Sequence, residues 1–310
     1  MVRHFLTVSD LPVEGLRSVL RDAARHKRQP RTGSTRLAGM TVALVFQKPS
    51  MRTRVAFEVA IQQLGGSSLY LDQNDIQLGQ REPIKDVARV LSRYVHAIVV
   101  RTFAHRDAEE FARYSRVPVI NGLSDLHHPC QALADLLTIQ EHGKRLGHIT
   151  VAYVGDGNNV LHSLLQGAAM LGIDVTVATP DRYRPDTAIW GAASRVAAGC
   201  GAVLRWSTDP RQAVRGADVV YTDVWTSMGQ ERERAKRLRV FRPYQVNAAL
   251  LKLAKPTCRV MHCLPAHRGE EITDEVMEGT RSLVFEQAEN RLHAQKALLA
   301  FLLRDRKGTR

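Results

Sequence analysis

The sequence predicts an α/β protein built from two parallel-sheet domains. Apolar, β-rich runs alternate with helix-period stretches along most of the chain. That alternation pauses around residues 140–148 and then restarts. The length of 310 residues is room for two domains at roughly 150 residues each. Strands that alternate with helices make parallel sheets, because each return to the sheet needs a crossover, and crossovers are right-handed.

In the first block, Thr41–Phe46 (TVALVF) is apolar over its whole length after the first residue and reads as a buried strand. Val55–Leu64 has helical spacing and stops before the Gly65-Gly66 pair. Ser68–Leu71 is a short strand, Lys85–Tyr94 a helix, and Ala97–Val100 a strand that ends at Arg101. Asp107–Tyr114 is helical, Val117–Ile120 a strand, and Leu133–Glu141 a helix that stops near Gly143. The second block runs strand Ile149–Val154, helix Val160–Leu171, strand Asp174–Ala178 and helix Ile189–Ala198. Strands follow at Ala202–Trp206, Val219–Thr222 and Arg259–His262, then a short helix at Thr273–Met277 and a long one at Ala288–Leu303.

The net charge is +13, from 44 Lys+Arg against 31 Asp+Glu. Such a balance invites a nucleic-acid reading, but its location argues otherwise. Residues 1–40 carry net +5, residues 231–242 net +4 and residues 301–310 net +3, which leaves +1 for the rest. No nucleic-acid partner is expected. No apolar run approaches the ~18 residues of a membrane span, so no membrane partner is expected either. The four cysteines form no CxxC pair, which suits a reducing, cytoplasmic setting.

Several motifs sit where strands give way to helices. Ser50-Met51-Arg52-Thr53-Arg54 gathers two hydroxyls and two guanidinium groups at a helix start, which favours an oxyanion ligand. Arg101 stands at a strand end, the edge where ligands bind in open α/β sheets. His127-His128-Pro129-Cys130-Gln131 opens a helix and is either a cap or a carbonyl-polarising group. No second His/Cys pair has zinc-like spacing, so no metal is expected. Gly155-Asp156-Gly157-Asn158-Asn159 lacks the third glycine of a dinucleotide fingerprint, with Val160 in its place. It is either a tight turn or a cradle for a small polar ligand. Asp223-Val224-Trp225-Thr226-Ser227-Met228-Gly229 follows a strand, and Asp223 can bind an ammonium group. The charged run 232–242 beyond it reads as a solvated flank. Cys263, in His262-Cys263-Leu264-Pro265, is a structural thiol, a proton acceptor or a nucleophile.

Together these motifs resemble ornithine carbamoyltransferases from about His4 to Leu303. The shared patterns are S-x-R-T-R, H-P-C-Q, D-x-W-x-S-M-G, H-C-L-P and the E-N-R-L-H stretch that holds Arg291. Met51 stands where that family often has Thr, so only its backbone N–H serves. The resemblance implies two doubly wound parallel-sheet domains linked by helices, with the C-terminal helix packing back on the first domain. It divides the chain into a carbamoyl-phosphate domain (1–143), an ornithine domain (144–287) and a returning helix (288–310). It implies that Ser50, Met51, Arg52, Thr53, Arg101, His128, Gln131, Cys263, Leu264 and Arg291 bind carbamoyl phosphate, joined by Gln77 of a neighbouring subunit. Asn159, Asp223, Ser227 and Met228 would place L-ornithine, while Cys263, Arg101 and His128 would be catalytic. It further implies a trimer or a multiple of trimers, and no cofactor.

Overall fold

The structure, a computed structural model, describes residues 3–29, 34–79, 81–143, 146–227 and 229–304. The chain divides into two compact units. Unit 1 holds the described residues of Met1–Leu137 and Glu289–Arg310, and unit 2 holds those of Thr138–Ala288.

Unit 1 contains α1 (Val13–Arg28), β1 (Thr41–Phe46), α2 (Met51–Gln63), β2 (Ser67–Leu71), α3 (Gln73–Ile76), α4 (Ile84–Tyr94), β3 (Ala97–Arg101), α5 (His105–Tyr114), β4 (Val119–Leu123) and the start of α6 (Pro129–His142). Its sheet runs β2-β1-β3-β4 with every pair parallel. All of β3 and all but the first residue of β1 are buried, as expected for strands covered on both faces. Phe5 bridges to the outer edge of β4, donating to the Val119 carbonyl and accepting from Asn121 N–H, both at 2.8 Å.

Unit 2 contains β5 (Thr150–Val154), α7 (Asn159–Leu171), β6 (Asp174–Ala178), α8 (Thr187–Cys200), β7 (Leu204–Ser207), α9 (Pro210–Val214), β8 (Val219–Thr222), α10 (Arg234–Phe241), α11 (Ala248–Leu251), β9 (Arg259–His262), α12 (Asp274–Met277) and the start of α13 (Val284–Leu302). Its parallel sheet runs β7-β6-β5-β8-β9. The rest of α13 packs within unit 1, where Lys296 Nζ donates to Gln63 Oε1 at 2.9 Å and Arg36 Nη2 to the Ala300 carbonyl at 3.1 Å.

Each sheet reverses its winding once, between β1 and β3 in unit 1 and between β5 and β8 in unit 2. Crossovers leave such a switch point on opposite faces, and a crevice opens outside the carboxyl ends of the two strands. The motifs at residues 50–54 and 101 follow the first pair, and those at 155–159 and 223 follow the second.

Several elements differ from the expectation. The helix expected from Val55 starts at Met51, because the Ser50 side chain caps it. The strand expected at Val117–Ile120 spans Val119–Leu123, since Pro118 has no N–H to give a ladder. Helices α1 and α10 had no counterpart in the expectation. The 232–242 run is corrected in one respect: Arg237 is buried there, although its neighbours are mostly exposed.

Gly157 holds a close backbone approach. A Cβ there would stand 2.4 Å from the Arg184 carbonyl carbon and from the Pro185 nitrogen. Gly157→Ala is expected to cost about 1–3 kcal/mol through overpacking. Gly199→Ala, in α8 with nothing within 4 Å of the new carbon, should be neutral or gain up to ~1 kcal/mol. Thermal melts of the two variants check this, and equal melting temperatures would refute it.

Candidate active site

The first cluster grows from the carboxyl ends of β1 and β3. Phe46 pairs with Arg101, and Gln47 N–H donates to the Arg101 carbonyl at 2.9 Å, so the chain leaves the sheet beside Arg101. It turns into α2 at Ser50, whose Oγ accepts from Thr53 N–H at 3.3 Å and donates to Thr53 Oγ1 at 3.0 Å. Arg291 Nη2 donates to that same Oγ1 at 2.7 Å. Two donors into one hydroxyl oxygen leave the Thr53 proton to point at an incoming oxygen.

The charge of this cluster is one-sided. Arg101 is buried, and burial together with the like charges of Arg291 and Arg52 lowers its pKa to about 10. No carboxylate pairs with Arg101 among the described residues, and its buried Nε has no hydrogen-bond partner there. A buried, unpaired cation is costly, so the cluster is complementary to an anion. His128, just before α6, is pushed well below its usual value by burial and then by Arg291, Arg101 and Arg52. It is therefore a neutral imidazole at physiological pH, able to donate one N–H. Gln131 Nε2 donates to Asp135 Oδ1 at 2.8 Å, while its buried Oε1 has no partner among the described residues. Cys130 is structural: its Sγ donates to the Asn121 carbonyl, and burial pushes the thiol up to about 12.

Two residues of the expected set stand differently. Met51 is 71% exposed, so its side chain turns to solvent while its N–H opens α2. Gln77 lies on an exposed turn at φ +46°, with no hydrogen bond to this cluster among the described residues.

The second cluster belongs to unit 2. Thr222 pairs with His262 across β8 and β9, which brings Asp223 and Cys263 out of the sheet side by side. Cys263 Sγ donates to Asp223 Oδ1 at 2.8 Å. Asn158 Nδ2 donates to Asp223 Oδ2 at 2.6 Å, and Val224 N–H to Oδ1 at 2.8 Å. Asn158 Oδ1 also caps α7, accepting from Val160 N–H and Leu161 N–H at 3.0 and 3.2 Å. The resemblance implies Asn159, the half-buried first residue of α7, whereas the hydrogen bond to Asp223 comes from its neighbour Asn158. The helix-start position of Asn158 was the signal for it. Ser227 is half-buried, and its N–H donates to Gln230 Oε1 at 3.1 Å. Met228 lies outside the described residues.

Leu264 adopts φ +57°, its N–H donates to His262 Nδ1 at 2.9 Å, and a cis peptide joins it to Pro265. Because Nδ1 accepts, Nε2 carries the ring proton and donates to Glu271 Oε1 at 3.0 Å. One ligand-type atom each of Asp223, His262 and Cys263 lies within 4.8 Å of the others. His262 has no lone pair left for a metal there.

Arg237 ties the two loops of this cluster together. Its Nη1 donates to Asp156 Oδ2 and to the Trp225 carbonyl, both at 2.9 Å. Burial raises the Asp156 pKa from 3.8 to about 6, and Arg237 works against that rise.

Both halves of the chain match known families. A model described as the aspartate/ornithine carbamoyltransferase carbamoyl-P binding domain matches residues 3–141, and the Asp/Orn binding domain model matches 147–302. The chain belongs to the aspartate/ornithine carbamoyltransferase family. It is 54% identical over 304 residues to an ornithine carbamoyltransferase of Archaeoglobus fulgidus, covering 97% of this chain and 98% of that one. It is 52% identical over 303 residues to the ornithine carbamoyltransferase described as anabolic from Pyrococcus furiosus, covering 97% and 96%. The solved ornithine carbamoyltransferase structure from Pyrococcus furiosus superposes with a TM-score of 0.93 over 96% of each chain, at 52% identity. Within this carbamoyltransferase fold, the arginine cluster around Ser50 falls in the carbamoyl-P match. The Asn158–Asp223–Cys263 cluster falls in the Asp/Orn match. Arg291 is matched by the second model but packs in unit 1.

Arg237→Met leaves Asp156 buried without its cation and is expected to cost about 3–5 kcal/mol at pH 7.5. Adding Asp156→Asn should recover much of that loss. The folded-state value of Asp156 stands above that of an unfolded carboxyl. Its contribution to stability therefore falls as pH rises from about 4 to about 6. The single-variant loss should accordingly shrink in acid. Urea unfolding at pH 5 and 7.5 measures both effects, and a loss below about 1 kcal/mol at pH 7.5 would refute the role.

Proposed function

We propose that the chain transfers the carbamoyl group of carbamoyl phosphate to the δ-amine of L-ornithine, giving L-citrulline and phosphate. The observation that carries this reading is Arg101, buried without an acidic partner among the described residues beside Arg52 and Arg291. Such a place suits a compact anion. The relatives' shared name and the Asp223–Cys263 pair support an amine as the acceptor.

On this reading Ser50, the Met51 N–H, Arg52 and Thr53 hold the phosphate, with Gln77 supplied by a neighbouring subunit. Arg101, His128 and Thr53 donate to the carbamoyl oxygen. Gln131 Oε1 accepts from the carbamoyl amide, the kind of donor its buried, unpaired oxygen needs. Asn159, Asp223, Ser227 and Met228 place ornithine. An ammonium has no lone pair for attack, so the δ-amine first gives its proton to the Cys263–Asp223 pair. Its nitrogen then bonds to the carbamoyl carbon, and the carbonyl electrons move to oxygen. They return as the carbon–oxygen bond to phosphate breaks, and the leaving phosphate takes the second proton from the newly bonded nitrogen. The donors on that oxygen strengthen as it becomes anionic, which lowers the barrier.

The same reading gives a domain for carbamoyl phosphate over 1–143, one for ornithine over 144–287, and a returning helix over 288–310. It also gives a homotrimer or a multiple of trimers, a role in arginine synthesis and a cytoplasmic location. No cofactor enters any step. Among the described residues no helix is long and apolar enough to cross a membrane.

Incubation with carbamoyl phosphate and L-ornithine, putrescine or acetylornithine in parallel tests the acceptor. Citrulline should form, and a faster reaction with either rival amine would overturn the assignment. Arg101→Ala and His128→Ala should each lower kcat about 10²–10³-fold, as for loss of one oxyanion donor. Near-normal turnover would remove either residue from that role. Cys263→Ser should slow turnover and displace the pH–rate profile, and an unmoved profile would exclude the thiol from proton transfer.

A further inference from the structure

The chain beyond Cys263 carries a second group of ligand-type side chains that no step of the reaction uses. His267, Glu270 and Glu271 each offer one such atom within 4.8 Å of the others. His267 Nδ1 stands 3.8 Å from Glu270 Oε2 and 3.9 Å from Glu271 Oε2.

Glu271 is fully buried, and its two oxygens differ. Oε1 accepts from His262 Nε2–H at 3.0 Å and from His267 N–H at 2.6 Å. Oε2 has no hydrogen-bond partner among the described residues and is shut off from solvent. A buried carboxylate oxygen without a partner is costly, and this one faces the His267 ring. Glu270 gives Oε1 to Arg234, so Oε2 is the atom left on the imidazole side. The His267 side chain is 44% exposed, which gives an ion a way in from solvent.

One imidazole nitrogen and two carboxylate oxygens make a donor set for a first-row divalent cation, zinc above all. Tetrahedral ligands about 2.1 Å from such an ion lie about 3.4 Å from one another. The observed 3.8 and 3.9 Å need to close by only a few tenths of an ångström. We propose that His267, Glu270 and Glu271 bind one zinc-class cation, at a site separate from the Asp223–Cys263 pair. The ion completes Glu271 Oε2 and so fixes Oε1 on His262. His262 in turn holds Leu264 N–H, so the bound ion stiffens the segment from His262 to Leu264.

The test uses the full chain, stripped with a chelator and titrated with zinc chloride by calorimetry, with magnesium chloride as the control. One zinc ion per chain is expected, and zinc should raise the melting temperature. His267→Ala and Glu270→Gln, which both leave the His262–Glu271 pair in place, should weaken zinc at least about tenfold. Cys263→Ser should keep it. Cobalt in place of zinc should give tetrahedral d–d absorption without a thiolate charge-transfer band. Absence of zinc binding, wild-type affinity in both ligand variants, or loss of the ion in Cys263→Ser would each overturn the proposal.

Discussion

A parallel sheet delivers the carboxyl ends of all its strands to one edge, and everything functional in this protein depends on that constraint. Phe46 lies opposite Arg101 in unit 1, and Thr222 lies opposite His262 in unit 2. Residues far apart in the chain therefore leave the sheet as neighbours. Cys263 meets Asp223 at 2.8 Å because one residue follows each of two paired strand ends. A one-residue slip in either ladder would turn these side chains to the other face.

The two clusters solve different electrostatic problems. Unit 1 gathers guanidinium groups and a neutral imidazole with too little negative charge to balance them. This configuration costs stability, which a bound anion would offset. Burial and like charges lower both Arg101 and His128, and on the proposed reading these two groups are the donors to the developing oxyanion. Unit 2 instead pairs its buried charge internally: Asp156 with Arg237, and Asp223 with Asn158 and Cys263. Its loops are held by side chains rather than by the sheet, so their geometry rests on a few named hydrogen bonds.

Much of the fold was legible because the signals are local. Apolar runs located most of the strands, and the helices before Gly65 and Gly143 stop where expected. Helix α1 went unread although Leu16, Val19, Leu20 and Ala23 repeat at helical spacing, because charged residues crowd the positions between them. Helix α10 went unread for the same reason, and with it the burial of Arg237.

By itself the sequence determined the α/β class, the order of the elements and the spaced motifs that identify the family, since each of these lies within a short window. Only the tertiary structure decided the partners: Arg291 on Thr53, Asn158 on Asp223, Arg237 on Asp156, and a Glu271 oxygen left unsatisfied among the described residues. Most of these link residues many tens of positions apart. Hydrogen bonds at that range follow from strand register and helix packing, which no local pattern encodes.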